Sequence, residues 1–86
     1  MALVFIPTMF RNLAGGTSQV RVEGKTLREL LANLDEALPG LREHLVPGWE
    51  FRDDLVVAID GEVALALTDR VGDNSEVHFI PPIAGG

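Results

Sequence analysis

Two glycines, Gly85-Gly86, end the sequence, and this position suggests chemistry at a backbone carboxylate rather than at a side chain. A carboxylate that a partner activates must enter a narrow site and present its carbonyl carbon to an incoming nucleophile. Glycine suits both steps, because it carries no Cβ and reaches backbone angles that are closed to other residues. The Gly85-Gly86 ending is therefore compatible with chemistry at the Gly86 carboxylate, with Gly85 giving clearance beside it.

The sequence gives weaker support for catalysis or ligand binding by side chains. The sequence contains no cysteine, which excludes a thiol nucleophile, a disulfide and a thiolate metal site. His44 and His78 are far apart, and neither has a carboxylate at a helical ligand spacing, so we expect no metal site. Neither a lysine nor a helix start follows Gly15-Gly16, which is more typical of a hairpin turn than of a phosphate loop. No combination of serine, histidine and acid indicates a catalytic triad.

The composition indicates one small globular domain. The 86 residues are 47% apolar and 23% charged, which allows one modest core. A net charge of -6 disfavours nucleic acid and anionic membrane as partners and favours a basic protein, although it could also serve solubility alone. The apolar start, Met1 to Ile6, has no basic flank and stops at Pro7, too short for a signal peptide or a membrane span. We therefore expect a cytoplasmic protein.

The first half of the chain predicts a hairpin followed by a helix. Leu3 to Ile6 is apolar on both faces, Ser18 to Val22 alternates with period two, and Gly15-Gly16 would form the turn between these strands. Thr26 with Glu29 is a capping box, and Pro39-Gly40 ends the helix that it begins. One apolar stripe follows the cap, comprising Leu27, Leu30, Leu31, Leu34 and Leu38.

The second half predicts more core and more strands. We expect Leu41 and Leu45 to extend the core through a short second turn. Trp49 is expected to form a lid over the core edge, the alternative being a contact with a partner. Strands are expected at 55–59, at 62–64 after the Asp60-Gly61 turn, and at 76–80 after the turn at 72–75.

The double proline, Pro81-Pro82, marks the predicted end of the sheet, because proline cannot donate ladder hydrogen bonds. We therefore expect a domain over 1–82 and a protruding tail over 83–86. The fold class is α+β, a mixed sheet with one main helix across one face.

In this order of elements, the sequence resembles the β-grasp fold of ubiquitin. Its ending, Ile80-Pro81-Pro82-Ile83-Ala84-Gly85-Gly86, is similar to the sulfur carriers of the MoaD/ThiS type, which include the small subunit of molybdopterin synthase. The start, Ile6-Pro7-Thr8-Met9-Phe10-Arg11 followed by Gly15-Gly16, is closer to the carriers that deliver sulfur for cysteine synthesis. Carriers of the thiamine pathway usually lack the double proline and are less similar.

The resemblance implies a co-substrate rather than an enzyme. A ubiquitin-activating-like adenylyltransferase and sulfurtransferase would adenylate Gly86 with ATP and then replace AMP by sulfur, giving a C-terminal thiocarboxylate. The chain itself would bind no cofactor, and the sulfur would pass to an accepting synthase of cysteine or molybdopterin biosynthesis. Two alternatives remain open, a protein modifier joined to lysines through Gly86 and a plain β-grasp interaction module.

Strand parity predicts where the activating enzyme docks. If Val4 and Ile6 face the helix, every second residue of the same strands faces away from it. The outward residues would form an exposed apolar patch that runs toward the tail; the alternative is that a loop or a second copy of the chain covers it. We call it the open-face patch, and it comprises Leu3, Phe5, Val56, Ala58 and Ile80. Beyond it, the expected partner contacts are the tail residues Pro82, Ile83, Ala84 and Gly85.

Overall fold

The computed structural model describes residues 1–81, which form a five-stranded sheet with helices on one face. The strands lie in the order β2-β1-β5-β3-β4. The central pair, β1 and β5, is parallel and the other pairs are antiparallel, so the predicted mixed sheet is confirmed. The strand bounds are β1 Ala2–Phe5, β2 Gln19–Val22, β3 Val56–Ile59, β4 Glu62–Val63 and β5 Glu76–Ile80.

The hairpin of β1 and β2 forms as predicted, but its connection is more than a turn. A 3₁₀ helix, Thr8–Ala14, lies between the two strands. Gly15 and Gly16 then turn the chain with φ values of +64° and +84°, which glycine adopts without steric cost. The 3₁₀ helix has no 3.6-residue apolar period, so the periodicity used for longer helices does not detect it.

The main helix, α1, spans Leu27–Ala37 and begins at the predicted cap. The Thr26 hydroxyl accepts a hydrogen bond from the Glu29 amide at 3.2 Å. The Glu29 carboxylate, in return, accepts from the amide of Lys25 at 3.4 Å, one residue earlier than a capping box places it. Thr26 therefore provides the standard cap, while the reciprocal bond is displaced.

The loop before β5 satisfies two more amides at the start of α1. The Leu27 amide donates to the Asp69 carbonyl and the Arg28 amide donates to the Leu67 carbonyl, both at 2.9 Å. These groups have no partner within the helix, so the loop takes over their hydrogen bonds. The segment before α1 also passes close to the helix at Gly24. A Cβ at this position would lie 2.5 Å from the Leu30 amide nitrogen, so the close contact requires glycine.

The core lies between the sheet and the helices. A second helix, α2, spans Leu41–Leu45, and both end residues are buried as predicted. Trp49 is half-buried against the core edge, which confirms the predicted lid. The fully buried side chains are Val4, Ile6, Leu27, Leu30, Leu31, Leu34, Leu41, Leu45, Val46 and Val77. No helix among residues 1–81 is long and apolar enough to cross a bilayer.

The predicted strand parity is confirmed in each central strand. Val4 and Val77 are completely buried toward the helices, and Val57 is 3% exposed. Ala58 belongs to the other face, as expected, but its predicted exposure is wrong, since only 6% of it reaches solvent. The Ala58 methyl group lies between the paired residues His78 and Val63, whose larger side chains leave little of it accessible to solvent.

Candidate functional site

The end of the sheet where β5 finishes is the place from which residues 82–86 continue. Because β1 and β5 are parallel neighbours, their carboxyl ends meet at this same edge. Ile80 is the last strand residue and Pro81, which is exposed, leaves the ladder. The predicted end of the sheet at the first proline is therefore confirmed. The domain limit at 82 and the tail over 83–86 lie outside the described residues and stay predictions.

The open-face patch is assembled by the strand register in rows that approach this edge. Leu3 lies opposite Glu76, Phe5 opposite His78, and Val56 opposite Ile80. Leu3, Phe5 and Val56 are half-buried, whereas Ile80 is 47% exposed. The structure thus brings the predicted patch residues together on one face, ending beside Pro81.

A stacked pair of rings forms the centre of the patch. The Phe5 and His78 rings lie 4.1 Å apart, centroid to centroid, with an angle of 9° between their planes. His78 Nε2 also lies 3.2 Å from Glu76 Oε1, so both the stack and the carboxylate restrain the imidazole. The result is a flat aromatic surface with one acidic group beside it, suited to packing against a partner with a basic rim.

The apolar surface extends further than sequence reasoning placed it. Val63 in β4 pairs with Ala58, so it shares the open face, and it is 60% exposed. Phe51 lines a shallow depression together with Val56 and Val63. A two-residue strand after a tight turn carries too little periodicity to assign its outward residue, which is why Val63 was missed.

A groove of about 600 Å³ adjoins the patch at the edge of the sheet. Its walls come from the end of β1, the 3₁₀ helix and the end of β5. We call it the Arg11 groove, and the lining residues that matter here are Phe5, Pro7, Met9, Arg11, His78 and Pro81. Met9 and Arg11 were not among the predicted site residues, because the 3₁₀ helix that carries them was not predicted. The double glycine that ends this helix was the available signal.

A hydrogen-bonded turn fixes the opposite end of β5. The Asp60 carboxylate accepts from the Ser75 hydroxyl at 2.7 Å and from the Glu76 amide at 2.9 Å. Ser75 Oγ in turn accepts from the Gly72 amide at 2.8 Å. The hydroxyl of Ser75, and then the amide of Glu76, hold the pKa of Asp60 below its ordinary value. This network ties the β3–β4 turn to the start of β5.

The remaining predicted site residues lie outside the described residues. They are Pro82, Ile83, Ala84, Gly85 and the acyl residue Gly86. Within residues 1–81, no group of three or more His, Cys, Asp or Glu side chains could hold a metal ion.

Comparison with known proteins identifies the family. The ThiS family model matches residues 4–86. The sulfur carrier protein CysO of Mycobacterium tuberculosis is 30% identical over 89 residues, with 96% of each chain covered. The crystal structure of the Amycolatopsis orientalis BexX/CysO complex contains a chain with a TM-score of 0.88 and 26% identity, covering 100% of both chains.

A second group of similar structures comes from archaea. SAMP1 of Haloferax volcanii matches with a TM-score of 0.69 and 29% identity, covering 99% of this chain and 98% of that one. The fold expected from the resemblance, a ubiquitin-like β-grasp, is therefore confirmed by sequence relatives and by structure. The chain belongs to the ThiS family, as a small sulfur carrier protein of the CysO type.

Proposed function

We propose that this chain carries sulfur as a thiocarboxylate on Gly86. The Gly86 carboxylate attacks the α-phosphate of ATP on a ubiquitin-activating-like enzyme, which forms an acyl adenylate and releases pyrophosphate. A sulfide-level donor then attacks the same carbonyl carbon; the C–S bond forms, the C–O bond to AMP breaks, and AMP leaves. The chain supplies the acyl group and the partner supplies the catalytic residues, so the carrier is a co-substrate that binds no cofactor of its own, and ATP belongs to the enzyme.

The placement of the open-face patch is the observation that carries this proposal. The patch runs along β5 to Pro81, so an enzyme bound to Phe5 and Ile80 would hold the origin of the tail close to its own active site. Such positioning raises the effective concentration of the Gly86 carboxylate at the reacting phosphate. The family match reaches residue 86 and includes the glycine pair, which supports the same reaction.

We assign the sulfur to cysteine synthesis first and to molybdopterin synthesis second. The identity with CysO and the early Ile6–Arg11 segment favour a cysteine-type accepting synthase as the second partner. Both partners would act in the cytoplasm, where ATP and the sulfur donor are available.

Mass spectrometry tests the reaction directly. Incubated with its activating enzyme, ATP and a sulfur donor, the chain should gain about 16 Da, the difference between sulfur and oxygen, on Gly86. Methionine oxidation adds nearly the same mass, so fragment spectra must place the gain. A chain lacking Gly85-Gly86 is the matched control and should gain nothing. A gain on Met1 or Met9, or anywhere but Gly86, contradicts the proposal.

Protein modification is the second candidate function, and the similarity to SAMP1, a small archaeal modifier protein, favours it. In this case a lysine amine attacks the acyl adenylate and forms an isopeptide bond. A ladder of conjugates in lysate that disappears when Gly86 is deleted would indicate this role. A plain interaction module, the third possibility, predicts instead that binding survives removal of Gly86.

A further inference from the structure

The Arg11 groove lies where the tail begins. Pro81, the last described residue, lines it together with Pro7 and Met9. The parallel pairing of β1 with β5 creates this arrangement, because both strands leave the sheet at one edge and the 3₁₀ helix follows β1 directly. The residue that precedes 82–86 in the chain therefore lies at the groove.

Arg11 differs in its pairing from two other arginines of the domain. Arg42 and Arg52 each contact a neighbouring carboxylate, at 2.8 Å and 2.7 Å. Within residues 1–81, Arg11 has no carboxylate partner. Its Nε donates to the Ile6 carbonyl at 3.1 Å, which anchors the guanidinium while its two terminal nitrogens remain available. The half-buried guanidinium thus places a fixed positive charge between apolar walls.

We propose that, in the free carrier, the Arg11 groove receives residues 82–86 of the same chain, with the Gly86 carboxylate against Arg11. This inference rests on the proposed function, which requires a free carboxylate at Gly86. Five residues span up to ~17 Å when extended, and Pro81, from which they continue, lines the same groove of about 600 Å³ as Arg11. The apolar side chains of Ile83 and Ala84 match the walls, and the terminal charge is opposite to that of Arg11.

The groove and the open-face patch share residues, which links the tail to docking. Phe5 belongs to both surfaces, and its ring is stacked on His78, which lines the groove. An enzyme that covers this stack covers one wall of the groove as well. Binding of the enzyme therefore competes with the seated tail and frees Gly86 at the moment when an acceptor site is present.

Nuclear Overhauser contacts in the free protein test this inference. We expect contacts between the methyl groups of Ala84 and Met9, and between the Gly86 and Arg11 methylene protons. Both sets should be lost in Arg11→Gln and in a chain whose C-terminus is amidated. They should persist in Arg21→Gln, which removes the same charge from an exposed position of β2. Amidation leaves Arg11 intact, so the test does not depend on the folding of Arg11→Gln.

Three outcomes overturn the inference. The contacts are absent from the wild-type chain, they survive amidation, or they weaken on dilution, which would place the tail of a second copy in the groove. None of these outcomes affects sulfur loading of Gly86 by the activating enzyme. Failure of the groove and failure of the proposed function are therefore distinguishable.

Discussion

The two faces of the sheet are made by the same strands but differ in how they are packed. On the covered face, Val4, Val57 and Val77 are at most 3% exposed beneath the helices. On the open face, Phe5 and Val56 are half-buried and Ile80 is 47% exposed. Complete burial stabilises the fold, whereas the partly exposed apolar groups gain their remaining burial only when another protein covers them. Substitutions on the two faces should therefore affect different measurements.

The largest effect on folding is expected on the covered face. Leu31 is completely buried, so Leu31→Ala should reduce the free energy of unfolding by about 2–5 kcal/mol through lost burial and a cavity. Leu65 is 85% exposed and provides the control, because Leu65→Ala should change stability by less than about 0.5 kcal/mol. Urea denaturation measures both. Equal losses in the two variants would refute the contrast between buried and exposed leucines.

The next effect is expected on binding rather than on stability. Phe5→Asp places a charge at the centre of the open-face patch and should weaken binding to the activating enzyme by at least ~2 kcal/mol. Calorimetry measures the affinity, and circular dichroism checks the fold. Leu13→Asp is the control, because it also places a carboxylate at an apolar residue, but outside the open-face patch. Leu13 is 50% exposed and lies in the 3₁₀ helix. Unchanged affinity, or an unfolded Phe5→Asp chain, would rule out the docking role assigned to Phe5.

A smaller effect on stability is expected when the pH is lowered, because acid protonates Asp60 in the turn that fixes the start of β5. The folded state holds the pKa of Asp60 below its ordinary value of 3.8, so the ionised carboxylate stabilises the fold above that pH. This contribution should disappear as the pH falls through the lowered pKa. Asp60→Asn keeps a residue type that tolerates the φ of +52° and removes the charge. Its melting temperature should fall below that of the wild type at pH 7, and the two should converge once the pH lies below the lowered pKa of Asp60; a constant difference would exclude the ionic contribution.

The smallest effect on stability is expected from the tail. Removing Gly85-Gly86 should lower the melting temperature by less than about 4 °C, because a short terminal segment contributes little burial. Seating in the Arg11 groove is compatible with this limit, since removing the two glycines takes away one partly exposed ion pair, typically about 0.5 kcal/mol, or about 2–4 °C in a domain of this size. Differential scanning calorimetry measures the shift. A decrease of many degrees would mean that the tail is part of the folded domain.

Sequence alone predicted the elements whose periodicity and caps are local. The stripe from Leu27 to Leu34 defined α1, and the turn at 72–75 defined β5 with the observed bounds. Parity was sufficient to place Phe5 and Ile80 on one face, because it needs only the alternation within a strand. The resemblance added the β-grasp fold and the family.

Features that depend on contacts between distant segments could not be predicted. The Phe5–His78 stack requires the parallel register of β1 with β5, and the Arg11 groove requires the 3₁₀ helix beside Pro81. The burial of Ala58 likewise depends on its neighbours in β4 and β5. Side-chain spacing along one strand carries no information about which strand lies beside it.

The position of Trp49 has a spectroscopic consequence. Two guanidinium groups lie over its indole ring, with Arg28 at 4.2 Å and Arg42 at 4.4 Å from the ring centroid. It is the only tryptophan of the chain, and Arg28 in α1 and Arg42 in α2 hold it on the helical side of the domain. Fluorescence excited at the indole band therefore comes from one site that reports whether α1 and α2 are packed together. A partner seated on the opposite face should leave this emission unchanged, so one fluorophore can separate unfolding from docking.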